Sequence, residues 1–256
     1  MSTALSRLFT RRKDRYRVPV AELAPEGALW AVGDVHGCLT EYREVEARIL
    51  AAGLPATIVL LGDVVDRGPD SRGMLDLLTA PAPEGLTRLC LLGNHEDMML
   101  AFLASPAANR GWLDFGGRET LRSYGCSHDG RDPPALAAAL RDSMPAEHRR
   151  YLESLPVLAL APGFVLSHAG AAAETPLTAQ RKADLVWARH GEVADLLPPA
   201  DLGDRIVVHG HVPVPLLRQA GWRINLDTGA FATGRLSAAR LSPGAAPVFI
   251  QSGPGG

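Results

Sequence analysis

The chain has 256 residues, with 26 basic and 28 acidic side chains and a formal net charge of −2, which excludes the overall basic surface of a typical nucleic-acid-binding domain. No segment approaches the roughly 18 consecutive apolar residues of a membrane span, and residues 1–10 lack the apolar stretch and cleavage site of a signal peptide. The three cysteines are odd in number and lack metal-finger spacing, which favours a reducing compartment. We therefore expect a cytoplasmic protein without a membrane span.

The charge is unevenly distributed along the chain. Residues 1–20 contain six basic side chains and the single acid Asp14, a net charge of +5, and the remainder carries −7. We predict a basic, flexible N-terminal arm over residues 1–24, followed by one domain over residues 25–251.

Residues 28–103 alternate between apolar strands and helical segments. Three strands are predicted, at Ala28–Val32, Thr57–Leu61 and Leu86–Leu92. Each precedes a predicted helix: Leu39–Ala52, with Tyr42, Val45, Ile49 and Leu50 on one face; Ser71–Leu78, with Ser71 as its cap; and His95–Leu103. This order is typical of βαβ units, in which polar loops gather at the carboxyl ends of the strands.

The second half of the chain has a different pattern. Residues from about 105 to 155 form short helical pieces with glycine breaks, and we interpret them as a helical insert beside the cleft. Further strands are predicted at Gly163–Ser167, Arg205–Val208, Trp222–Leu226, Leu236–Leu241 and Val248–Ile250. The first three of these end at polar residues: His168, His209-Gly210-His211 and Asp227.

Three polar loops directly follow the first three strands. They read Gly33-Asp34-Val35-His36-Gly37, Gly62-Asp63-Val64-Val65-Asp66-Arg67-Gly68 and Gly93-Asn94-His95-Glu96. One aspartate after a strand is usually a turn former, but the repeated ligand types predict a cleft that holds a pair of metal ions. Oxygen and imidazole ligands together favour Mn, Fe or Zn over Ca. A carboxylate such as Asp63 is able to bridge two ions about 3.5–4 Å apart.

The three loops, in this order and at this spacing, resemble the calcineurin-like metallophosphoesterases, in particular the phosphoprotein phosphatase branch that contains serine/threonine phosphatases. A looser match runs through Ser167-His168-Ala169-Gly170, Val186-Trp187-Ala188-Arg189 and Gly210-His211-Val212-Pro213, so the resemblance covers roughly 28–241. The segment Leu226-Asp227-Thr228-Gly229-Ala230-Phe231 is similar to bacterial members and to relatives that hydrolyse diadenosine tetraphosphate. The resemblance implies an α/β fold of two packed mixed β-sheets flanked by helices.

Ligand assignments follow from the resemblance. It implies that Asp34, His36 and Asp63 hold one divalent metal ion, with Mn²⁺ expected and Fe or Zn as alternatives. It implies that Asp63, Asn94, His168 and His211 hold the second. His209 stands in the same turn, but the family pattern places the ligand directly after the glycine, which selects His211.

The implied mechanism is in-line attack on phosphorus by a metal-bridging hydroxide. Arg67, Arg189 and Asn94 are expected to bind the phosphate. His95 matches the family's general acid, and Asp66 would orient its ring.

Other phosphatase chemistries fit less well. Arg189-His190-Gly191-Glu192 resembles a histidine phosphatase motif, but too few residues follow it for that domain. His128-Asp129, a partial metal-hydrolase pattern, lies among turn formers. Neither Cys38 nor Cys126 is followed by an arginine six positions on, as cysteine phosphatases require. A scaffold that has lost activity would lack a ligand or the general acid, and every expected position is filled.

The substrate expected first is phosphoserine or phosphothreonine in proteins. The alternative is symmetrical hydrolysis of a dinucleoside polyphosphate such as diadenosine tetraphosphate. The expected partner is thus a phosphoprotein or a phosphorylated small molecule, with no nucleic-acid groove. Within the insert, Trp112 and Gly116-Gly117-Arg118 are candidates for contact with either substrate.

Overall fold

A computed structural model describes residues 16–126, 132–188 and 197–253, which form two mixed β-sheets with helices outside. The six-stranded sheet has the order β1-β5-β6-β7-β9-β8. Its strands are β1 (Val20–Glu22), β5 (Leu158–Ala161), β6 (Phe164–Ser167), β7 (Ile206–His209), β8 (Gln219–Ala220) and β9 (Arg223–Asn225). The five-stranded sheet has the order β11-β10-β2-β3-β4. Its strands are β2 (Ala28–Val32), β3 (Ala56–Leu60), β4 (Leu86–Cys90), β10 (Ser237–Leu241) and β11 (Val248–Gln251).

The alternation of side chains along the strands builds two apolar layers. Leu29, Ala31 and Val59 of the five-stranded sheet join Leu166 and Val208 of the other sheet in one buried cluster, so this cluster fills the space between the sheets. The alternate residues of β2 and β3 point outward to the helices: Trp30, Val32, Ile58 and Leu60 pack in a cluster with Tyr42, Val45 and Ile49. The expected fold of two packed mixed sheets flanked by helices is confirmed.

The first three helices follow the predicted positions closely, and the helices at Lys182–Val186 and Ala230–Thr233 were not predicted. The helices are α1 (Leu39–Ala51), α2 (Ser71–Thr79), α3 (Asn94–Ala104), α4 (Gly117–Ser123), α5 (Pro133–Ser143), α6 (Ala146–Ser154), α7 (Lys182–Val186) and α8 (Ala230–Thr233), with 3₁₀ turns at Arg110–Phe115 and Leu177–Ala179. None of the helices in the described ranges is long and apolar enough to cross a membrane. The predicted cap of α2 is wrong: Asp70 is the N-cap and accepts from the Gly73 N–H at 2.7 Å.

The start of the domain lies earlier than expected. Strand β1 pairs in parallel with β5, and Val18, Val20 and Leu23 are buried. The range assigned to the basic arm therefore ends in a strand of the sheet. Strand β1 has only three residues and is not followed by metal-type ligands, so the sequence pattern did not indicate it.

Parallel pairing brings the polar loops together. Strand β3 runs parallel to both β2 and β4, and β7 runs parallel to both β6 and β9. The carboxyl ends of parallel strands share one edge of a sheet, and the two packed sheets present these edges to the same cleft. The residues between 105 and 155 that the structure describes contain helices and no strand.

Candidate metal centre

The buried carboxylate of Asp63 lies at the centre of the cleft. Its Oδ1 accepts a hydrogen bond from the backbone N–H of His95 at 3.0 Å. Its Oδ2 lies 3.4 Å from Nε2 of His168 and 3.7 Å from Nε2 of His36. Asp63 is therefore shared between two groups of side chains, His36 with His95 and His168 with His211, and each group could hold a metal ion.

The first group contains His168, His211 and Asn94. Nε2 of His168 is 2.9 Å from Oδ1 of Asn94 and 3.1 Å from Nδ1 of His211, and the latter two atoms are also 2.9 Å apart. Nδ1 of His168 faces the carbonyl oxygen of Leu61 at 3.0 Å, so Nδ1 carries a proton, and a ring that loses its other proton when a cation binds would turn its Nε2 lone pair to the group. We call these three atoms and Oδ2 of Asp63 the acceptor cluster.

The second group contains His36 and His95 beside Asp63, and Asp34, which was expected among its ligands, is not a member of this group. Nδ1 of His36 donates to the carbonyl oxygen of Val65 at 3.0 Å, which leaves Nε2 without a proton, 3.7 Å from Oδ2 of Asp63. Burial lowers the pKa of His36 to about 3, so the ring is neutral and suited to binding a cation. Asp34 accepts from the backbone N–H of His211 at 3.1 Å. A Cβ at Gly210 would lie 1.9 Å from Oδ1 of Asp34, so only glycine allows this approach.

Charges in the cleft favour a cation. Burial and Asp227 raise the pKa of Asp34 well above its usual value, and burial raises the pKa of Asp227 to about 6. Burial lowers the pKa of His168, but Asp63 and Asp34 outweigh it and raise that pKa to about 10. Converging lone pairs in a field that favours positive charge fit a pair of divalent ions, which bind deprotonated imidazole and carboxylate.

A second buried network connects His95 to Asp66. Nδ1 of His95 lies 2.8 Å from Oδ2 of Asp66, and the same oxygen accepts the indole N–H of Trp112 at 2.8 Å. Thr120 donates its hydroxyl to Oδ1 of Asp66 at 2.6 Å. Burial raises the pKa of Asp66, and these three hydrogen bonds oppose that rise. Burial lowers the pKa of His95, but Asp63 and Asp66 outweigh it, so the net shift is upward.

The geometry therefore orients His95 with its Nε2 toward the metal centre, 4.0 Å from Oδ2 of Asp63. A nitrogen in this position could donate a proton inside the cleft. Trp112, considered above as a substrate contact, is only 2% exposed and supports Asp66 instead. Its indole N–H and the Thr120 hydroxyl come from the helical insert, and no local motif indicates either role.

Glu96 is a further buried residue whose role pattern reasoning did not assign. Its carboxylate accepts four backbone N–H groups, from Gly93, Asp63, Val64 and Val65, at 2.8–3.2 Å. Burial and the charge of Asp63 raise the pKa of Glu96 to about 7. These bonds tie the loop after β3 to the start of α3, so Glu96 sets the relative position of Asp63 and Asn94.

Arg67 borders the second group. Its Nη1 donates to Nε2 of His36 at 3.1 Å, and its guanidinium carbon lies 4.8 Å from the ring centre of Phe231. Phe231 also meets His36 edge-on, with ring centres 5.3 Å apart. The Arg67 backbone N–H donates to the carbonyl oxygen of Gly116, so the insert helps to place it. A planar cation held at this point could bind a phosphate.

The loops hold unusual backbone conformations. Six described residues other than glycine have positive φ, and five of them are His36, Asp63, Asp66, Arg67 and His211. Such conformations are costly for side-chain-bearing residues and concentrate where a site over-determines the backbone. The strain coincides with the ligands and their neighbours.

Several expectations are resolved by these positions. Among the described residues His211 joins a ligand group, whereas the His209 ring contacts the adjacent Gly210 carbonyl oxygen at 3.1 Å. Burial raises the pKa of Cys38 to about 11, which opposes thiolate chemistry. Arg189, the His190 motif and His128-Asp129 lie outside the described residues.

Comparisons with known proteins also indicate a phosphoesterase. The family described as calcineurin-like phosphoesterase matches residues 28–230. A curated relative, bis(5'-nucleosyl)-tetraphosphatase PrpE [asymmetrical] of Geobacillus thermodenitrificans, is 25% identical over 230 residues, with 82% of this chain and 88% of the relative covered. The protein of the same name from Bacillus anthracis is 24% identical over 222 residues, with the same coverage.

Solved structures share the fold. One provisionally named a diadenosine tetraphosphatase has a TM-score of 0.66 and 24% identity, with 93% of this chain and 100% of that chain covered. A protein serine/threonine phosphatase from Saccharomyces cerevisiae, similar to human phosphatase PP5, has a TM-score of 0.55 and 17% identity, with 89% and 80% covered.

Proposed function

The chain belongs to the calcineurin-like phosphoesterases and is a phosphoester hydrolase, and from that premise we propose that it cleaves a dinucleoside polyphosphate such as diadenosine tetraphosphate. The observation that carries the chemistry is the pair of groups that share Asp63, one of which includes His95, with Arg67 hydrogen-bonded to His36 beside them. The relatives named as tetraphosphatases, matched over most of both chains, support the substrate.

We assign two divalent cations, with Mn²⁺ first and Fe or Zn as alternatives, to the two groups. Asp34, His36 and Asp63 would hold one ion. Asp63, Asn94, His168 and His211 would hold the other. When bound, such cations supply Lewis acidity and lower the pKa of a water molecule so that it serves as a nucleophile near neutral pH.

The protein's own side chains supply the remaining steps. Arg67 would bind a phosphoryl oxygen through its guanidinium, and Asn94 and Arg189 are proposed as further phosphate contacts. His95 would protonate the leaving oxygen from Nε2. Asp66 positions that ring by holding its Nδ1 at 2.8 Å.

A protein serine/threonine phosphatase is the second candidate. The loops after the first three strands favour it, and the fold is shared with the yeast phosphatase. The sequence motifs placed this activity first. We place the dinucleoside polyphosphate hydrolase before the protein phosphatase because relatives that match most of the chain are named for dinucleoside tetraphosphate hydrolysis. Their name also specifies asymmetrical cleavage, so AMP and ATP are the expected products rather than two ADP.

The test is an assay of the Mn²⁺-reconstituted enzyme with diadenosine tetraphosphate and with a phosphoserine or phosphothreonine peptide. We expect kcat/KM to be at least about 100-fold higher for the dinucleotide, with AMP and ATP separated as products. The Asp63→Asn variant serves as the matched inactive control for contaminating phosphatases. A strong preference for the phosphopeptide would refute the proposed substrate, and accumulation of ADP alone would establish symmetrical cleavage instead.

A further inference from the structure

A second cleft, of about 950 Å³ and lined by other residues than the cleft around Asp63, opens beside the metal centre. Its walls are mostly aliphatic and aromatic and include Pro213, Val214, Leu216, Phe231, Phe249 and Ile250. This volume is within the usual range for a small-molecule site. The cleft is distinct from the ligand groups, since no residue of the acceptor cluster lines it.

Two segments of the cleft lining closely follow residues of the metal centre along the chain. Pro213 follows the candidate ligand His211 by two residues, and the turn at Thr228-Gly229 follows Asp227 directly. Phe231 lies at the junction, because its ring contacts both the His36 ring and the Arg67 guanidinium. A ligand bound in the cleft would therefore be adjacent to a phosphate held by Arg67.

The chemistry of the cleft favours a flat aromatic group attached to an anion. Phe231 is 40% exposed although it packs against two polar residues, so part of the side chain is accessible to a ligand. Phe115 and Trp187 are also exposed, but Phe231 is the one of the three whose ring contacts a candidate metal ligand. Arg235 adds a cation to the lining. A purely aliphatic ligand has no anionic group to pair with that charge.

We propose that this cleft is a nucleobase subsite in which Phe231 stacks on the base of the nucleotide whose phosphate lies at the metal centre. The assignment rests on the proposed function and extends it to substrate recognition. Every base has a π-face, so a single aromatic platform would accept adenine and guanine alike. A phosphorylated side chain of a protein substrate carries no such group and would leave the Phe231 platform uncovered.

The position of the cleft also indicates which phosphorus of the dinucleotide is attacked. Phe231 touches His36 and Arg67 directly, so little more than a ribose separates a base on Phe231 from a phosphate on Arg67. The phosphorus presented to the metal centre would then be the one attached to that ribose. This arrangement agrees with release of AMP rather than ADP.

The experiment compares Phe231→Leu and Phe231→Trp with the wild-type enzyme on two substrates, diadenosine tetraphosphate and p-nitrophenyl phosphate, which lacks a base. Stacking of one base contributes enough to change affinity about tenfold or more. We expect Phe231→Leu to raise KM for the dinucleotide at least about tenfold more than KM for p-nitrophenyl phosphate. Phe231→Trp keeps an aromatic ring and should leave KM for the dinucleotide near the wild-type value. Leu54→Ala, which trims an exposed side chain at the opposite ends of the strands, is the control and should alter neither substrate.

A purely structural role of Phe231 predicts a different result. If Phe231 only holds Arg67 and His36 in place, Phe231→Leu will lower turnover of both substrates by the same factor, and the subsite proposal is overturned. It is also overturned if the dinucleotide KM does not change.

Failure of the proposed function is separable from failure of the subsite. If wild-type enzyme does not cleave diadenosine tetraphosphate, AMP is tested as an inhibitor of p-nitrophenyl phosphate hydrolysis. Inhibition that Phe231→Leu weakens at least about tenfold would support the subsite without the proposed substrate. Equal inhibition of both enzymes would refute the subsite.

Discussion

The indole N–H of Trp112 donates a hydrogen bond of 2.8 Å to Oδ2 of Asp66. That oxygen also meets Nδ1 of His95 at 2.8 Å, so a residue of the helical insert supports the candidate general acid through one buried carboxylate. The insert thus supports the side chain that is proposed as the general acid. This relationship is the basis for the first two predictions.

Replacement of His95 by Asn should reduce turnover of diadenosine tetraphosphate by roughly 10²–10⁴-fold, because the leaving oxygen loses its proton donor. The loss should be much smaller for p-nitrophenyl phosphate, whose leaving group needs little protonation. Steady-state kinetics with both substrates, and metal analysis to show that two ions remain bound, check this prediction. Equal losses on the two substrates would remove His95 from the role of general acid.

Replacement of Trp112 by Phe should destabilise the protein and lower turnover severalfold, because a buried carboxylate loses one of its donors. A hydrogen bond to a charged group contributes about 1.5–3 kcal/mol. Trp30→Phe is the matched control, since the buried indole N–H of Trp30 has no hydrogen-bond partner among the described residues. Denaturant unfolding at one metal concentration should show the larger loss for Trp112→Phe. Similar losses for both variants would assign the effect to packing.

Removal of metal by a chelator should abolish hydrolysis, and added Mn²⁺ should restore it. The bound ions should also raise the thermal unfolding midpoint, because ligands that bind only the folded state stabilise it. Asp63→Asn should bind fewer ions than wild type, since Asp63 is shared by both groups. Asp97→Asn is the control, because Asp97 lies in the same helix as Asn94 but outside both groups. This variant should keep two bound ions. Retention of two tightly bound ions by Asp63→Asn would contradict the shared ligand.

Replacement of Gly116 by Ala should lower kcat/KM on the order of 10- to 100-fold by displacing Arg67. Gly116 has φ of 108°, and its Cβ would lie 2.6 Å from the Arg67 backbone nitrogen and 2.7 Å from its Cγ. Gly125→Ala is the control: its φ of 73° imposes comparable backbone strain, and no atom lies within 4 Å of the added Cβ. Both variants should lose some stability, but only Gly116→Ala should lose activity. Equal activities would show that Arg67 does not depend on this packing.

Local pattern accounts for much of the site. Apolar runs of strand length, each ending in a polar loop, place Asp34, Asp63 and Asn94 at one edge of a parallel sheet, because parallel strands align their carboxyl ends. The structure confirms this placement. The same reasoning missed β1 and misplaced the cap of α2, where a three-residue strand and two adjacent polar residues give no decisive local signal.

The amino-acid sequence by itself determined the alternation of strands and helices, the order of the loops and the set of metal-ligand types, because these depend on periodicity and on residue chemistry at strand ends. The arrangement in two packed sheets was implied only by the family resemblance. Only the tertiary structure determined which residues, distant in the sequence, contact the side chains of these loops. Trp112 and Thr120 reach Asp66 across 46 and 54 residues, and Phe231 reaches Arg67 and His36 from the far end of the chain. Such contacts depend on the packing of separate elements, and neither propensity nor spacing encodes them.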